Sequence, residues 1–366
     1  MRDRDGITRI LGYRDCTVQR NNQKLIEESG SYRLPAEWID RIQDYALRIA
    51  EEVDYVGAGT IEFIYDRLNK AVYFMEMNTR LQVEHPVTEM VSGIDIVGEQ
   101  IRIAGGESIA GLKPQKDGYA MEVRINAERI NVDGADGVEF TPSPGTVTRM
   151  VLDDHPKVRT IAAVAEGMVV PPYYDSLIVQ IIAHGRSRAA VIDTLRGYLD
   201  TVVIEGINTN LALMEAILDD AEFRQGSYDT RFLDGFFQRV DLPALQARSE
   251  TRSGGTGSAI DLDAIRIEGS DELKVLAPRT GVFYTSPTSD DPPYVGLGQQ
   301  FDIDQTLCLL EAMKVFEAVS LADFNRYNGD TLFETNHRYQ LNRILAENGQ
   351  TVNQGDLLFI VQPAPP

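Results

Sequence analysis

The stretch TIEFIYDRLNKAVYFMEMNTRLQVE, residues 60–84, decides how the first half of the chain folds. Two runs in which apolar and polar residues alternate flank the polar segment 66–70, and this pattern predicts a β-hairpin. In an extended strand, alternate side chains share a face. One face of the second run then carries only polar groups after Phe74, namely Glu76, Asn78, Arg80, Gln82 and Glu84.

The order of these groups favours a binding site over an ordinary solvated face. Acid, amide, guanidinium, amide and acid follow one another, and such groups suit hard cations and oxyanions. Because the turn is centred near Leu68, Glu62 on the first strand should lie opposite or diagonal to Glu76. Two carboxylates so placed repel each other unless a cation bridges them. We therefore expect Glu62, Glu76 and Asn78 to bind Mg²⁺ or Mn²⁺.

Composition narrows the class of protein. The 366 residues are enough for two or three domains. The net charge of -21 disfavours nucleic acid and anionic membranes as partners, and no apolar run or leader suggests a membrane span or a secretory signal. Only two cysteines occur, far apart, which favours the reducing cytoplasm over a disulfide scaffold.

Further patterns divide the chain. Apolar spacing predicts amphipathic helices over 36–53 and 187–202, one further helix over 87–104 and a short helix over 211–218. Most of the segment 119–183 is predicted to form strands. The Gly- and Ser-rich run at 246–259 predicts a flexible linker. Beyond it, GQQFDIDQTLCLLE from Gly298 resembles GQTVNQGDLLFIVQ from Gly349, which indicates two similar halves of one small β sandwich.

Several long motifs resemble the biotin carboxylase family of ATP-grasp enzymes. They are RDCTVQRNNQK at 14–24, VGAGTIEFIYD at 56–66, YFMEMNTRLQVEHPVTEM at 73–90, MEVRINAE at 121–128 and PPYYDSL at 171–177. The sequence Ala312-Met313-Lys314, between two apolar strands, resembles the biotinyl hairpin of biotin carboxyl carrier proteins. Lipoyl carriers have a similar fold but usually an acidic residue before the lysine, so Met313 favours biotin on Lys314.

The resemblance implies a mixed α+β chain ending in an all-β domain of the biotinyl or lipoyl type. The implied segments are the C-terminal part of an ATP-grasp domain (1–112), a biotin carboxylase C-terminal domain (113–240), the linker (241–268) and the carrier (269–366).

The resemblance also implies roles for individual residues. Glu62, Glu76 and Asn78 would bind metal. Gln19, Glu62 and Glu76 would bind nucleotide, and Lys24, Arg80, Gln82 and Val83 would bind bicarbonate. Glu84 would be the general base, Arg124 would stabilise the biotin enolate, and Arg80 and Lys24 would assist catalysis.

The implied reaction is ATP- and bicarbonate-dependent carboxylation of biotin on Lys314, within an acyl-CoA carboxylase, with acetyl-CoA as the expected acceptor. The implied partners are a carboxyltransferase component and a biotin protein ligase, and a homo-oligomer is expected. Two departures are Asn22, where the family usually has His, and Gln180, where it usually has Lys. Residues 322–339 have no counterpart in the family, and we interpret them as an insertion.

Two alternatives remain at this point. No counterpart of the family's N-terminal domain or Gly-rich phosphate lid is found, so the chain is expected to lack the N-terminal half of the carboxylase and to be inactive alone. It would then be a non-catalytic biotin carrier or assembly module. A lipoyl-type carrier is the other alternative.

Overall fold

The computed structural model describes residues 1–30, 34–133, 137–254, 265–288, 290–328 and 332–364. Its first part contains the predicted hairpin between an amphipathic helix and two short helices. The elements are β1 (Arg14–Arg20), β2 (Gln23–Ser29), α1 (Ala36–Glu52), β3 (Thr60–Asp66), β4 (Ala71–Asn78), α2 (His85–Ser92) and α3 (Ile96–Ala104).

The hairpin prediction is confirmed, but the second strand is shorter than predicted. β4 ends at Asn78, and residues 79–84 form a turn that leads into α2. The predicted helix over 87–104 is also wrong as a single element. It is interrupted at Gly93, whose φ of 69° ends α2, and Asp95 then caps α3 by accepting a hydrogen bond from Gly98 N–H.

The middle of the chain packs helices against one face of a sheet. Its elements are β5 (Tyr119–Asn126), β6 (Glu128–Asp133), β7 (Gly137–Pro142), β8 (Gly145–Thr146), β9 (Arg149–Val151), β10 (Val158–Ala162), β11 (Val169–Val170), β12 (Leu177–Gly185), α4 (Arg188–Leu199), β13 (Val203–Glu205), α5 (Leu211–Asp219), α6 (Ala221–Arg224), α7 (Phe232–Arg239) and α8 (Leu242–Arg252).

One antiparallel sheet joins the first and middle parts of the chain, in the order β1-β2-β5-β12-β10. It therefore pairs strands from both sides of the boundary predicted at 112. One face is buried against α4 and α5 in an apolar core that includes Val123, Ile181 and Leu195. The opposite face is covered by α2, where Val87 packs on Ala120 and Ile182.

The predicted linker over 241–268 is wrong in its first part. Residues 242–252 form α8, which begins at Leu242 after the Asp241 cap, has Pro243 in its first turn and buries Leu245 and Ser249. Because α8 packs on α5 and β6, this part of the run belongs to the carboxylase-like core rather than to a linker. Residues 255–264 of the predicted linker lie outside the described residues.

The last part of the chain is a β sandwich with its own apolar core. Its elements are β14 (Leu273–Leu276), β15 (Gly281–Tyr284), β16 (Gln300–Phe301), β17 (Cys308–Ala312), β18 (Val315–Val319), α9 (Leu321–Asn328), β19 (Tyr339–Ile344), β20 (Thr351–Val352) and β21 (Leu357–Pro363). Its two sheets have the orders β14-β21-β19-β16 and β18-β17-β15-β20.

These two orders explain the sequence repeat. The first repeated segment contains the short strand β16 and the longer strand β17, and the second contains the short strand β20 and the longer strand β21. In each segment the short strand lies at the edge of one sheet and the longer strand lies in the other sheet. Gly298 and Gly349, which begin the two segments, both have positive φ, 77° and 82°, a conformation that glycine adopts without steric cost. The pattern therefore predicted the two-fold arrangement correctly.

The segment 322–339, interpreted as an insertion, contributes to the core of this sandwich. The helix α9 buries Phe324, which meets Phe333 edge-on, and Phe333 meets Tyr339 in the same way. The sandwich is thus not entirely β. Within the described ranges, every helix of the protein is too short or too polar to cross a membrane.

Candidate active site

Two carboxylates and one amide meet across the β3–β4 hairpin. Glu62 and Glu76 are direct partners in the antiparallel register, as predicted. The Asn78 side-chain nitrogen lies 3.3 Å from Glu62 Oε1 and 3.1 Å from Glu76 Oε1. The side-chain oxygens of these three residues can therefore reach a single metal ion. Oxygen atoms are the ligands that Mg²⁺ and Mn²⁺ prefer.

This set fits a divalent cation that also binds a phosphate. Two carboxylates and an amide leave most of an octahedral shell for water and phosphate oxygens, as is typical of nucleotide-bound Mg²⁺. Among the described residues, no group of three or more His, Cys, Asp or Glu side chains is placed to hold a metal by itself. The candidate site therefore depends on the amide of Asn78 and on additional ligands.

Glu84 lies at the N-cap of α2, in a cluster of cations. Its Oε1 is 2.8 Å from Lys24 Nζ, and its Oε2 is 3.0 Å from Arg124 Nη2. Arg14 Nη2 is farther away, at 4.0 Å from Glu84 Oε1. Burial raises the pKa of Glu84, but Arg14 and Lys24 outweigh burial, so the net pKa lies below the ordinary value of a glutamate. Glu84 is therefore a carboxylate at neutral pH.

The turn 79–84 places three further predicted residues around this cluster. The buried Gln82 accepts a hydrogen bond of 2.7 Å from Arg14 and donates one of 2.8 Å to Glu62. Lys24 also lies 3.0 Å from Glu62, so Glu62 and Glu84 share one ammonium group. Arg80 is exposed, and Val83 is 40% exposed, so both can face a ligand in solution.

Gln19 and Lys24 are partners across the β1–β2 hairpin, whose tip is Asn21-Asn22. Both tip residues have positive φ, 49° and 63°. Asn tolerates this conformation better than most residues, so Asn22 suits the two-residue turn in which it lies. The departure from histidine at this position thus has a local structural reason.

All of the predicted site residues line one open cavity of about 1270 Å³. They come from the first hairpin, the second hairpin, the turn before α2, the central sheet and the carrier-like sandwich. The set is Gln19, Lys24, Glu62, Glu76, Asn78, Arg80, Gln82, Val83, Glu84, Arg124 and Lys314. The structure therefore gathers the complete predicted set, although it spans nearly 300 positions of the 366-residue sequence.

Sequence reasoning missed three residues of this cluster. Arg14 binds Gln82 and faces Glu84, while Glu27 and Glu122 are fully buried and contact Arg124. One signal was present, since Glu122 is two residues before Arg124 and must share its face of β5. Nothing comparable marked Glu27, which reaches Arg124 from the neighbouring strand β2.

Lys314 lies at the tip of the tight hairpin between β17 and β18. Ala312 pairs with Val315, so the loop has only two residues, Met313 and Lys314. Their φ angles are 51° and 67°, as in a type I′ turn, which Gly and Asn usually form. Two non-glycine residues in this conformation are strained, and such strain is concentrated at functional sites.

This hairpin reaches the cavity of the carboxylase-like part. Met313 N–H donates a 2.5 Å hydrogen bond to the carbonyl oxygen of Pro172, and the Met313 side chain is buried against the core there. A second contact joins the Tyr173 hydroxyl to Thr351 Oγ1 at 2.7 Å. Lys314 is left exposed at the cavity edge. The PPYYDSL motif is therefore the surface on which the hairpin rests.

Comparison with known protein families matches two adjoining segments. Residues 1–112 match the ATP binding domain of the carbamoyl-phosphate synthase L chain, and residues 122–235 match the biotin carboxylase C-terminal domain. The first 235 residues thus contain ATP-grasp and C-terminal domains of the biotin carboxylase type. This agrees with the resemblance seen in the sequence motifs.

Individual relatives support the same assignment. Biotin carboxylase 1 of Bacillus subtilis is 43% identical over 237 residues, which are 64% of this chain and 51% of that protein. The 2-oxoglutarate carboxylase small subunit of Hydrogenobacter thermophilus is 42% identical over 63% of this chain and 48% of its own length. The chain spans about half the length of these curated relatives.

Two solved structures bear on the fold. The biotin carboxylase domain dimer of the Hydrogenobacter enzyme, in complex with MgADP, ADP and bicarbonate, is 39% identical with a TM-score of 0.60, over 66% of this chain and 53% of that one. A single-chain, multi-domain long-chain acyl-CoA carboxylase is 28% identical with a TM-score of 0.58, and the match covers 97% of this chain and 32% of that one.

Proposed function

We propose that this chain is a component of a biotin-dependent acyl-CoA carboxylase and that it carries biotin on Lys314. The observation that carries the proposal is the shared cavity, in which the Lys314 hairpin meets the charge cluster around Glu84. The 97% coverage by a single-chain acyl-CoA carboxylase supports the same combination of domains. We further propose the boundaries 1–112 and 113–254 for the two carboxylase domains, and 269–366 for the carrier.

The proposed reaction begins with attack of a bicarbonate oxygen on the γ-phosphorus of ATP, which releases ADP and forms carboxyphosphate. The ionised Glu84 accepts the bicarbonate proton, and Lys24, Arg80, Gln82 and the backbone of Val83 hold the anion. Gln19 contacts the nucleotide. Such a step needs positioning and charge neutralisation more than covalent help from the protein.

Glu62, Glu76 and Asn78 would hold Mg²⁺ or Mn²⁺, which neutralises charge on the phosphates when bound. Carboxyphosphate then releases CO₂ and phosphate inside the cavity. Biotin, when bound, would supply the ureido nitrogen that carries the carboxyl group, and the N–H proton of that nitrogen would pass to the released phosphate. Arg124 faces this position with its guanidinium, and its charge would stabilise negative charge that develops on the ureido oxygen.

The proposed partners follow from the carrier. A biotin protein ligase would attach biotin to Lys314, and a carboxyltransferase component would move the carboxyl group to an acyl-CoA, of which acetyl-CoA is our first expectation. The relatives named for carboxylation of 2-oxoglutarate and of long-chain acyl-CoA show that the acceptor differs among similar proteins. We also propose a cytoplasmic homo-oligomer, in line with the dimeric relative.

A purely structural carrier without catalytic function is not favoured. Such a module would have no need of an ionised Glu84 between two cations, beside a convergent pair of carboxylates.

The test is bicarbonate-dependent release of ADP from ATP by the biotin-loaded protein in an enzyme reconstituted with the N-terminal half of a biotin carboxylase. We expect turnover that needs bicarbonate, and its loss in Glu84→Gln. Exchange between ATP and ADP that is independent of bicarbonate and unaffected by Glu84→Gln would contradict the proposal. Biotin attachment, tested separately by streptavidin blotting, would then show whether a carrier function remains.

A further inference from the structure

Three carboxylates surround the single guanidinium of Arg124. Glu84 and Glu27 both contact its Nη2, and Glu122 Oε1 lies 3.8 Å from its Nε. Glu27 and Glu122 are direct partners across β2 and β5, and both have no exposed surface. Directly opposite residues in antiparallel strands have Cβ atoms only about 5 Å apart. Two ionised carboxylates at this separation in a dry environment repel strongly.

The surroundings give the pair too little positive charge for both members. The helix α2 covers this face of the sheet with Val87, Met90 and Val91, which exclude water. At the position on β12 where the family usually has lysine, Gln180 donates a neutral 2.9 Å hydrogen bond to Glu122. Within the described part of the chain, the outer oxygens Glu27 Oε2 and Glu122 Oε2 are buried and accept no hydrogen bond.

We propose that Glu27 and Glu122 share one proton and together form a positioning pair that holds the Arg124 guanidinium against Glu84. The shared proton satisfies the two otherwise unbonded oxygens and leaves one net negative charge, which matches the one positive charge of Arg124. The pair contacts no substrate in this arrangement, so it acts through Arg124. The role in catalysis rests on the proposed function, whereas the shared proton does not.

The titratable groups that face the pair come from each element packed around it. They are Arg124 on β5, Lys24 on β2, Cys16 on β1 and Glu84 at the start of α2. Burial raises the pKa of Glu27 to about 7, with Arg124 opposing this shift. Burial also raises the pKa of Glu122 well above its ordinary value, and the charge of Glu27 adds to that effect.

Loss of the shared proton has a defined consequence. When pH rises above neutrality, both carboxylates become charged and together attract Arg124 away from Glu84. The proposed turnover should therefore fall at alkaline pH because Arg124 leaves its position, although Glu84 itself stays ionised.

The experiment uses infrared spectroscopy of the full-length protein at neutral pH to detect the carbonyl band of a protonated carboxyl group. We expect this band in the wild type and its loss in both Glu27→Gln and Glu122→Gln, because either remaining glutamate then ionises beside Arg124. Gln180→Lys should also remove it by adding a cation. Glu28→Gln, on the same strand but bound to Arg188 on the other face, is the matched control and should keep the band.

Turnover then tests the positioning role. Each single glutamine variant mimics the half-protonated pair, so we expect kcat to stay within about threefold at neutral pH and the alkaline fall to disappear. The double variant removes the negative charge of the pair and leaves Arg124 with Glu84 alone, so it should lose about tenfold in kcat, as expected for a misplaced group. A band that survives Glu27→Gln, a wild type without the band, or an alkaline fall retained in Glu122→Gln would each overturn the proposal. If the wild type reconstituted with the N-terminal half of a biotin carboxylase shows no turnover, the proposed function fails, and the infrared result still decides whether the proton is shared.

Discussion

The two candidate functional regions of this protein are built in opposite ways. The Lys314 hairpin is contiguous, since two adjacent strands and two loop residues define it completely. The cluster around Glu84 brings together β1, β2, the turn before α2 and β5, whose residues are up to 110 positions apart. A contiguous site is visible in a sequence motif, whereas a convergent site also includes neighbours that no motif marks, such as Glu27.

The largest effect expected from this comparison concerns the contiguous site. Lys314→Ala should abolish biotin attachment completely, because the other residue at the tip of the strained hairpin, Met313, has no amine to accept biotin. Streptavidin blotting after incubation with a biotin protein ligase measures this. Lys274→Ala, which changes the other lysine of residues 269–366, is the control and should label normally. Equal labelling of Lys314→Ala and the wild type would remove Lys314 as the attachment site.

The convergent site should respond to loss of its central carboxylate. Glu84→Gln removes the proposed proton acceptor while keeping the side-chain shape, so we expect bicarbonate-dependent ADP release to fall by about 10²- to 10⁴-fold. Glu89→Gln, on the same helix as Glu84, weakens the contact with Arg159 of β10 but keeps the oxygen that accepts the Ile96 N–H, so this control should have little effect. A similar fall in both variants would point to damage to α2 rather than to lost chemistry.

The buried pair of the convergent site predicts a pH dependence of stability. Because the pKa of Glu27 rises from 4.5 to about 7 on folding, its stabilising contribution is present below pH 4.5 and is lost as pH rises to about 7. The expected loss over this window is on the order of 2–3 kcal/mol. Urea unfolding at a series of pH values measures it.

Glu27→Gln should flatten this pH dependence, whereas Glu28→Gln should lower stability without changing the slope. If the slope of stability against pH were unchanged in Glu27→Gln, the pH dependence could not be assigned to the raised pKa of this pair.

The metal ligands give a smaller expected effect. Glu76→Gln removes one of two carboxylates but keeps an oxygen donor, so Mg²⁺-dependent binding of ADP should weaken by about tenfold, which corresponds to about 1.4 kcal/mol. Calorimetric titration with and without Mg²⁺ measures it. Asp66→Asn, in the exposed turn of the same hairpin, should leave this binding unchanged.

The contact between the two regions should give the smallest effect. Tyr173→Phe removes one exposed hydrogen bond to Thr351, worth about 0.5–1.5 kcal/mol. We expect a few-fold slower carboxylation of biotin on Lys314 and an unchanged rate with free biotin, which needs no docking. Tyr174→Phe, which changes the neighbouring and more exposed tyrosine, is the control. Equal slowing with free biotin would mean that Tyr173 acts in the cavity itself.

Local patterns predicted much of the fold because the responsible forces act between near neighbours. The helix α1 follows from its apolar spacing, and the β3–β4 hairpin follows from alternation around a polar turn. The errors occurred where a short-range signal competed with packing. Residues 242–252 look like a linker by composition, yet Leu245 and the Asp241 cap form a helix against α5.

The sequence by itself determined the hairpins, the two-fold sandwich, Lys314 at a tight turn, and the residue types able to bind a cation and an oxyanion. Only the tertiary structure decided that Arg14, Glu27 and Glu122 join the cluster, and that Lys314 and Arg124 line the same cavity. The physical reason is the separation along the sequence between the residues that interact. Periodicity and turn chemistry depend on residues a few positions apart, whereas charge balance around a buried guanidinium depends on every strand that packs against it.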